Sequence, residues 1–512
     1  MPSPDPAAAP TTTPTTPTTT PTTTTTAMAS IRPLPPFQPD LHERAWASIP
    51  HPNLPLLATA HAKSVTVFSL ATLSSHSSLT GGHSRSIRSV TWEPGLPPHK
   101  LCLVTGSFDS TAGLWRWDGD GQGGLGGMET METDVTARAV AERDGGNMGD
   151  RERHDDDNDW DFTLVLEGHE SEIKSCAFSP SGAYLATCSR DKTIWIWEDV
   201  GAGGPSGPAD DEWETLAILN EHEGDVKAVA WCPDVPGRNS RRRYSSDVLA
   251  SASYDNTVRI WREDADAEWV CVAVLEGHGG TVWGLAWESP RLDAHGGGGH
   301  FPRLLTYSAD ATTRIWTLRE DEEHHDQDKG HGGGGGGHAL GGIPNTMRRS
   351  LREDWDCTAI LPQVHSRDIY AAAWSSQSGL VASAGSDGTI ALYREVQRPP
   401  PRANDAAAAA NHGTAPKDEE AEPEQQLPPS PAGPSTTSWE LLATVPNAHG
   451  PYEINHITWC RRYDAAAGAR RGQEEMLVTT GDDGLVRPWE VRLGASGHRA
   501  EGADMDEAHD KW

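Results

Sequence analysis

The stretch Leu166–Trp197, LEGHESEIKSCAFSPSGAYLATCSRDKTIWIW, decides the fold. A Gly-His pair opens it, and two apolar segments follow, Ile173–Phe178 and Tyr184–Ser189, before a third segment that ends at Trp197. Short apolar segments bounded by turn residues predict antiparallel strands. Four residues stand at fixed offsets, with the hydroxyl residue four positions before the aspartate and the aromatic residue six after it: His169, Thr187, Asp191 and Trp197.

The same set of four residues recurs along the chain. The further copies are His83, Thr105, Asp109 and Trp115; His222, Ser251, Asp255 and Trp261; His278, Thr306, Asp310 and Trp316; His365, Ser383, Asp387 and Tyr393; and His449, Thr479, Asp483 and Trp489. A degenerate seventh copy, Leu56–Phe68, has Ala62 in the aspartate position. The repeat resembles the WD40 repeat, each copy of which forms one blade of a propeller. We therefore predict an all-β fold, a seven-bladed WD40 β-propeller.

The repeated set has a structural interpretation. An aspartate buried in a tight turn is costly unless its oxygens accept hydrogen bonds. In the WD40 family the His, the hydroxyl residue and the Trp form a hydrogen-bonded chain with the aspartate. We interpret the sets as structural tetrads rather than catalytic triads, because the same set is repeated around the ring.

Composition excludes several classes of function. Lysine and arginine number 42 against 74 acidic residues, a net charge of −32, which argues against nonspecific binding to nucleic acid or an anionic membrane. No apolar run approaches the roughly 18 residues of a membrane-spanning helix. The seven cysteines include no C-x-x-C pair, so the spacing supports neither zinc nor iron–sulfur ligation. We expect no metal, no cofactor, and a reducing compartment.

Low-complexity segments divide the chain. Residues 1–30 form a Thr/Pro-rich segment that we interpret as a disordered tail, residues 31–491 the propeller, and residues 492–512 a C-terminal tail; Met28 is an alternative start. Ile31–Leu41 is placed to supply the strand that closes the ring. The ring is interrupted by inserts rich in Gly, Ala, Pro or acidic residues, at about 118–159, 201–211, 235–245, 291–300, 320–350, 397–437 and 464–475.

The position of the inserts favours one face of the disc as the binding face. With the strands of each blade labelled a to d from inside to outside, every insert falls between a and b or between c and d. Because antiparallel strands alternate in direction, these loops share the bottom face. The b–c turns and d–a loops, which share the top face, carry no insert. We therefore predict that the top face binds partners, with the bottom face as the alternative.

Two sets of residues are predicted to reach the top face. One set precedes the turn aspartates and the other follows the first apolar residue of each a strand. The basic members are Arg88, Lys174, Arg190 and Lys227, and the aromatic members are Phe108, Tyr254, Trp283 and Tyr370, with Trp46 beside them. Cations and aromatic rings around a rim suit carboxylates and extended acidic peptides. The alternative is a solvated surface that happens to carry four cations.

Several blades resemble a more specific family. The segments are IRSVTWEP with VTGSFDSTAGLW, LATCSRDKTIWIW, ASASYDNTVRIW, CVAVLEGHGGTVWGLAW, and HGPYEINHITW with TTGDDGLVRPW. They are similar to the WD40-repeat subunit of the cytosolic iron–sulfur protein assembly (targeting complex) family, in a fungal-like form with long inserts. The similarity covers all seven blades and none of the inserts.

The resemblance implies a non-enzymatic scaffold in the cytoplasm, with the nucleus left open. Its implied partners are a small acidic adaptor subunit, a HEAT-repeat scaffold, a hydrogenase-like cluster carrier and iron–sulfur apo-clients, with neither direct nucleic acid nor membrane contact. Arg190 matches a functionally important top-face arginine of the family. The tripeptide Leu392-Tyr393-Arg394 matches a cochaperone-recruiting motif, but Tyr393 also fills a tetrad position.

Other functions stay open as alternatives. A reader of histone tails would use the same face, but such tails are basic and we do not expect an acidic rim. A substrate receptor of a ubiquitin ligase normally carries an additional recruitment domain, and none is visible. An enzyme is disfavoured, because the sequence shows no unrepeated nucleophile–base pair and no phosphate-binding loop; Gly332–Gly337 is low-complexity sequence.

Overall fold

A computed structural model describes residues 29–118, 160–201, 212–233, 235–236, 243–244, 248–264, 266–289, 302–319, 352–398 and 436–494. The described chain forms seven four-stranded antiparallel sheets. The innermost strand of each sheet contacts the innermost strands of both neighbouring sheets, so the seven sheets close into a ring. The prediction of an all-β, seven-bladed propeller is confirmed.

The strands follow the chain blade by blade, after a first strand, β1 (Ala29–Pro33), that belongs to the last blade. Blade 1 consists of β2 (Ala45–Pro50), β3 (Leu56–His61), β4 (Ser64–Ser69) and β5 (Ser74–Leu79). Blade 2 consists of β6 (Ile87–Trp92), β7 (Lys100–Ser107), β8 (Ala112–Asp118) and β9 (Asp161–Leu166). Blade 3 consists of β10 (Ile173–Phe178), β11 (Tyr184–Ser189), β12 (Ile194–Asp199) and β13 (Trp213–Leu219).

Blade 4 consists of β14 (Val226–Trp231), β17 (Val248–Ser253), β18 (Val258–Glu263) and β19 (Trp269–Leu275), with the short strands β15 (Val235–Pro236) and β16 (Arg243–Tyr244) between the first two. Blade 5 consists of β20 (Val282–Trp287), β21 (Arg303–Ser308), β22 (Thr313–Leu318) and β23 (Trp355–Ile360). Blade 6 consists of β24 (Ile369–Trp374), β25 (Val381–Gly385), β26 (Ile390–Arg398) and β27 (Thr436–Val445).

Blade 7 is closed by the N-terminal strand. It consists of β28 (Ile454–Arg461), β29 (Glu475–Gly481), β30 (Val486–Leu493) and, as its outer strand, β1. Ala29 pairs with Leu493 and Pro33 with Trp489. The predicted closing segment therefore closes the ring, but its strand begins at Ala29. The sequence analysis assigned residues 29–30 and 492–493 to the tails. They belong to this pair of strands instead, because the pairing continues to the ends of β1 and β30.

The core lies between adjacent blades. Ile196 and Leu219 of blade 3 pack with Val229, Trp231 and Leu249 of blade 4 in one buried cluster. Tryptophans at the ends of a strands also hydrogen-bond the preceding blade, in the pairs Trp92 to the Ile49 carbonyl (3.0 Å), Trp231 to Ala177 (2.9 Å), Trp287 to Ala230 (3.0 Å) and Trp459 to Ala373 (3.2 Å). These hydrogen bonds connect four blades to the preceding ones, and burial of the facing apolar surfaces stabilises the contacts between blades.

All seven inserts connect a to b or c to d strands, as the strand order requires. Most of their residues lie outside the described part of the chain. Two corrections concern their boundaries. Residues 235–245 include the paired strands β15 and β16, and blade 6 extends into the predicted insert, with Gln397 paired to Thr437.

The insert at 464–475 is ordered, which corrects its interpretation as low-complexity sequence. It forms 3-10 turns over Ala465–Arg470 that are kinked at Gly468, and the Asp464 side chain caps the first of them. The guanidinium of Arg462 is almost fully buried and donates to Asp464 at 2.6 Å and to Glu490 of β30 at 2.9 Å. A buried cation held by two carboxylates anchors this loop to the sheet.

Candidate partner-binding face

The tetrad residues meet in all six complete copies. In blade 3, Nδ1 of His169 lies 2.8 Å from Asp191 Oδ2, Nε2 lies 2.9 Å from Thr187 Oγ1, and the Trp197 indole donates to the same hydroxyl at 3.0 Å. Blades 2, 4, 5 and 7 repeat these three contacts. Blade 6 has the weakest version, since Ser383 Oγ lies 3.4 Å from the Tyr393 hydroxyl.

The tetrads favour the ionised form of each aspartate. Burial alone would raise the pKa of Asp191, but hydrogen bonds from His169 and Thr193 outweigh it and lower the pKa to about 2. The same balance, with Thr111 and His83 as partners, lowers the pKa of Asp109 to about 2. The pKa of the aspartate is lowered in the other four tetrads as well, Asp255, Asp310, Asp387 and Asp483. These carboxylates accept fixed donors inside one blade, which is a structural role.

The aspartates set the geometry of the b–c turns. The residue after each one has a positive φ, between 59° and 75°: Ser110, Lys192, Asn256, Ala311, Gly388 and Gly484. Three of these six residues, Ser110, Lys192 and Ala311, are neither Gly nor Asn, so in those blades the turn is imposed by its hydrogen bonds rather than by the propensity of the residue. Each turn therefore presents the residue before its aspartate at the top rim.

Backbone hydrogen bonds fix this rim residue against the d–a loop. The amide of the residue before each aspartate donates to the carbonyl of the residue before strand a. The pairs are Phe108 with Ser86 (2.9 Å), Arg190 with Glu172 (3.0 Å), Tyr254 with Asp225 (2.8 Å), Ala309 with Thr281 (2.9 Å), Ser386 with Asp368 (2.9 Å) and Asp482 with Glu453 (3.1 Å). The side chains of both positions therefore lie next to each other on the top face.

A β-bulge presents the second set of predicted residues. In every blade the pairing of strand a with strand b skips the second residue of strand a, and the skipped residues are Trp46, Arg88, Lys174, Lys227, Trp283, Tyr370 and Asn455. A bulge redirects a side chain and leaves it out of the ladder. The fold thus frees this position in every blade, and the ring can carry a different side chain in each.

Blades 2 to 4 carry a basic sector, which we define as Arg85, Arg88, Lys174, Arg190 and Lys227. Arg190 and Arg85 are its exposed members, with 58% and 57% of their side chains accessible, and Arg190 Nη1 lies 3.9 Å from Glu172. An open pocket of about 300 Å³ lies between Glu172, Lys174, Arg190, Asp225, Lys227 and Tyr254. The structure therefore brings three of the predicted cations and one predicted aromatic residue to one concave site.

Several cations of this sector are paired with neighbouring carboxylates. Lys174 Nζ lies 2.7 Å from Glu172 Oε2, and Lys227 Nζ lies 3.1 Å from Asp225 Oδ2. Arg85 shares Glu172 at 3.0 Å. Burial lowers the pKa of Lys174, Glu172 opposes this, and Lys227 and Arg88 add to it. The sector keeps a cation excess, because Glu172 is shared among three basic side chains.

Aromatic rings support the basic side chains. Lys174 Nζ lies 4.5 Å from the Phe108 ring centre, and Lys227 Nζ lies 5.4 Å from Tyr254 and 5.3 Å from Trp283. Arg88 and Arg44 approach the Trp46 ring at 5.0 and 4.8 Å. Tyr254 remains 60% exposed. These cation–π contacts hold the cations in place without neutralising them.

The sequence analysis missed two carboxylates on the other side of the rim, Asp368 and Glu453, which lie there together with Asp482, so the expectation of a rim that is not acidic is wrong on this side. Asp368, Glu453 and Asp482 act on the hydroxyl of Tyr370: burial raises its pKa, and the three negative charges raise it further. The signal was available, because the residue immediately before strand a is acidic in four blades: Glu172, Asp225, Asp368 and Glu453.

The tripeptide Leu392-Tyr393-Arg394, which the sequence matched to a recruiting motif, belongs to the core of blade 6. Leu392 and Tyr393 are buried inside β26, so the tripeptide that they form with Arg394 lies in a core strand. In the part of the chain that the structure describes, no group of three or more His, Cys, Asp or Glu side chains is arranged to hold a metal ion. No helix among the described residues is long and apolar enough to cross a membrane.

Comparison with known proteins finds WD repeats in this chain and similar fungal proteins that share one name. The model of the family described as WD domain, G-beta repeat, matches residues 70–116, 160–198, 213–262, 269–317 and 355–394. A Neurospora crassa protein named "Probable cytosolic iron-sulfur protein assembly protein 1" is 56% identical over 489 residues, 91% of this chain and 96% of that protein. Proteins of the same name are 54% identical in Chaetomium globosum, over 91% of this chain and 96% of theirs, and 57% identical in Pyricularia oryzae, over 89% and 95%.

Proposed function

The chain belongs to the family of cytosolic iron–sulfur protein assembly protein 1, and we propose that it acts in that process as a non-enzymatic adaptor. A WD40 propeller is typically a protein-interaction fold without catalysis. The adaptor acts in the cytoplasm, as the names of the relatives indicate, and its top face binds acidic segments of assembly partners or of apo-proteins awaiting a cluster. The proposed partners are a small acidic adaptor subunit, a HEAT-repeat scaffold and a hydrogenase-like cluster carrier.

The observation that carries the proposal is the exposure of Arg190 within the basic sector. Its turn does not require arginine, because the equivalent position holds Phe108, Tyr254, Ala309, Ser386 or Asp482 in other blades. The nearest carboxylate, that of Glu172, is already engaged at shorter distances by Lys174 and Arg85. A guanidinium with unused donors beside an exposed tyrosine suits a carboxylate of a partner, with which it can form a bidentate pair.

The adaptor proposal excludes a resident cluster, and the cysteines support this. Five of the seven are buried within the ring, Cys102, Cys176, Cys188, Cys232 and Cys460. Burial raises the pKa of Cys176 to about 12, whereas cluster ligation requires a thiolate. Protein purified without oxygen is therefore expected to contain no stoichiometric iron or acid-labile sulfide. One cluster for each chain, found reproducibly, would make it a carrier instead.

A genetic replacement tests the function. In Neurospora crassa depleted of its relative, this chain is expected to restore the activity of a cytosolic iron–sulfur enzyme, and a mitochondrial iron–sulfur enzyme serves as the unaffected control. The Arg190→Glu chain is expected to restore it poorly at equal abundance. A fluorescent fusion in the same strain shows whether the protein also enters the nucleus. Failure of the wild-type chain to restore the cytosolic enzyme would remove the proposal.

A second candidate is a general peptide-binding adaptor, either a chromatin reader or a substrate receptor of a ubiquitin ligase. The carboxylates on the rim favour the reader, because they remove the electrostatic objection to binding a basic tail. Affinity purification of the tagged chain followed by mass spectrometry separates the candidates: iron–sulfur assembly proteins support the first, and histones or ligase subunits the second.

A further inference from the structure

The top face has a second charged region, which we define as the acidic sector: Trp283 of blade 5, Asp368 and Tyr370 of blade 6, and Glu453 of blade 7. These residues occupy the same rim positions, before strand a and at its bulge, as Glu172, Lys174, Asp225 and Lys227 in the basic sector. In the ring order the acidic sector lies across the central opening from blades 2 and 3. One face therefore presents opposite charges to a single partner.

The acidic sector is held rigidly. The Trp283 indole donates to Asp368 Oδ2 at 3.0 Å, and its ring meets that of Tyr370 edge to face, with ring centres 5.1 Å apart. The carbonyls of Asp368 and Glu453 accept the turn amides of Ser386 and Asp482 at 2.9 and 3.1 Å. The Asp368 carboxylate, the two aromatic rings and the backbone of Glu453 are thus fixed before any ligand arrives, which reduces the entropy lost on binding.

The two carboxylates lack the counter-ions that their equivalents have. In the basic sector Glu172 and Asp225 are each paired with the lysine two positions later. Tyr370 replaces that lysine beside Asp368, and the amide of Asn455 replaces it beside Glu453, where it is directed to Asp482 and the Ala45 carbonyl instead. Among the described residues neither Asp368 nor Glu453 forms an ion pair, whereas Asp482 is paired with Arg44.

We propose that the acidic sector binds an arginine side chain of the partner whose acidic residues occupy the basic sector. A guanidinium can pair with Asp368 and Glu453 while it stacks on an aromatic ring, as its planar, weakly hydrated group favours. This inference rests on the proposed function, because it assigns a second anchor to the same protein partner. The two sectors together also determine the orientation of the partner. A segment with acidic residues at one end and an arginine at the other fits in one orientation, whereas the reversed orientation places like charges next to each other.

The test uses protein labelled with 5-fluorotryptophan, in which comparison with Trp283→Phe identifies the fluorine resonance of residue 283. The probe is N-acetyl-arginine amide, and the control probe is the citrulline analogue, which has nearly the same shape without the charge. The arginine probe is expected to shift the resonance saturably, with a dissociation constant in the millimolar range, on the order of 4 kcal/mol of binding free energy. The citrulline probe is expected to leave it in place.

Two variants complete the design. The double variant Asp368→Asn, Glu453→Gln keeps the hydrogen-bonding shape and removes both charges, so arginine binding is expected to weaken by at least roughly tenfold, about 1.4 kcal/mol. Glu223→Gln removes one exposed carboxylate of the same face near the basic sector, and unchanged binding is expected. Equal melting temperatures show that the variants are folded.

Three results would overturn the inference: no saturable shift, an equal shift with citrulline, or full binding by the folded double variant. None of them concerns the adaptor role itself. If Arg190→Glu abolishes partner capture while arginine leaves the resonance of residue 283 unmoved, the second anchor fails and the proposed function stands. If arginine binds as expected but assembly proteins are never captured, the proposed function fails and the arginine site remains.

Discussion

Nδ1 of His169 lies 2.8 Å from the carboxylate of Asp191, across the base of a b–c turn on the top face. Because an ionised carboxylate only accepts hydrogen bonds, Nδ1 carries the proton and Nε2 accepts from the Thr187 hydroxyl, which in turn accepts from the Trp197 indole. Every member of the chain therefore has a hydrogen-bond partner. The tetrad therefore connects the exposed turn to the blade core through one directional series of hydrogen bonds.

We predict that Asp191→Ala destabilises the protein by roughly 1–3 kcal/mol, because it leaves the His169 ring, the Thr193 hydroxyl and the Glu170 amide without their acceptor. Denaturant unfolding of the purified variant measures this loss. Asp161→Ala, an exposed substitution on an outer strand, is the control and is expected to change stability by less than about 0.5 kcal/mol. Full stability together with lost partner binding would instead make Asp191 a binding residue.

Acid is predicted to destabilise the protein in two ranges. Burial lowers the pKa of His456 and of His51 to about 4, so between about pH 6.5 and pH 4 the unfolded chain binds more protons and stability falls as pH falls. Hydrogen bonds lower the pKa of Asp109 and Asp191 to about 2 despite burial. Their contribution is present above about pH 4 and is lost as pH falls towards 2.

Urea unfolding at a series of pH values checks this, with His456→Gln as the matched variant. Glutamine can still accept from the Ser48 amide, which lies 3.4 Å from His456 Nδ1. As pH falls from about 6.5 to 4, the wild type is expected to lose more stability than the variant, because only the wild type has to keep the imidazole of residue 456 unprotonated in the folded state. Comparing differences removes the general effect of titrating the many surface carboxylates. A difference that is constant across this range would contradict the assignment.

Much of the ring could be predicted from the sequence because its main determinants are local. The offsets between Thr187, Asp191 and Trp197 are fixed by a two-strand hairpin, so they survive in the sequence unchanged. The location of Lys174 and Tyr370 at the rim followed from the same alternation of strands. What could not be predicted was the pairing of side chains at the bulges, such as Glu172 with Lys174, since the sequence does not show which side chains a bulge turns towards each other.

The ordered loop at 464–475 and the acidic sector were missed because both depend on which side chains are neighbours in space. The buried anchoring of Asp464 by Arg462 depends on Glu490, which is remote in the sequence, and composition alone made this segment look like low-complexity sequence. The acidic sector was overlooked because Asp368 and Glu453 stand two positions before the bulge residues that were compared. Their significance appears only when Tyr370 and Asn455 are seen to replace the lysines that pair with the equivalent carboxylates.

We predict that deletion of residues 1–28 leaves the melting temperature near that of the full chain, because β1 begins at Ala29. Deletion of residues 1–41 is expected to destabilise it markedly, since it removes the pairing with β30 and the fully buried side chain of Phe37. The loss of one buried aromatic side chain alone costs about 3–5 kcal/mol. Calorimetry of the two truncated proteins makes the comparison, and equal melting temperatures would show that β1 does not close the ring.

We predict that replacing residues 119–159 with a short Gly-Ser linker leaves the ring folded. The deletion keeps Asp118, which ends β8, and Trp160, whose buried indole donates to Ser77 Oγ at 2.9 Å. A melting temperature within about 5 °C of wild type is expected, since about 1 kcal/mol corresponds to a few degrees in a domain of this size. Extending the deletion to Trp160 is the control that should destabilise. Loss of partner capture by the shorter deletion would move the binding site to the bottom face.

The last prediction concerns Arg190→Glu, which places a negative charge in the pocket beside Glu172 and Asp225. The variant is expected to melt near the wild-type temperature, because the 58% exposed side chain contributes to no core contact and its turn accepts many residue types. Capture of assembly partners or apo-clients is expected to weaken by at least roughly tenfold, about 1.4 kcal/mol. Wild-type capture is also expected to weaken as salt rises, since the attraction between exposed charges is screened.

Lys174→Glu and Lys227→Glu are the matched comparisons on the neighbouring bulges. Smaller losses of capture are expected for them, because each lysine is already paired with its own carboxylate at 2.7 or 3.1 Å and offers less free charge to a partner. Lys192→Glu, two positions after Arg190 in the same turn, is the control that should leave capture unchanged. If folded Arg190→Glu protein captures every partner as well as wild type does, the basic sector is not the binding site.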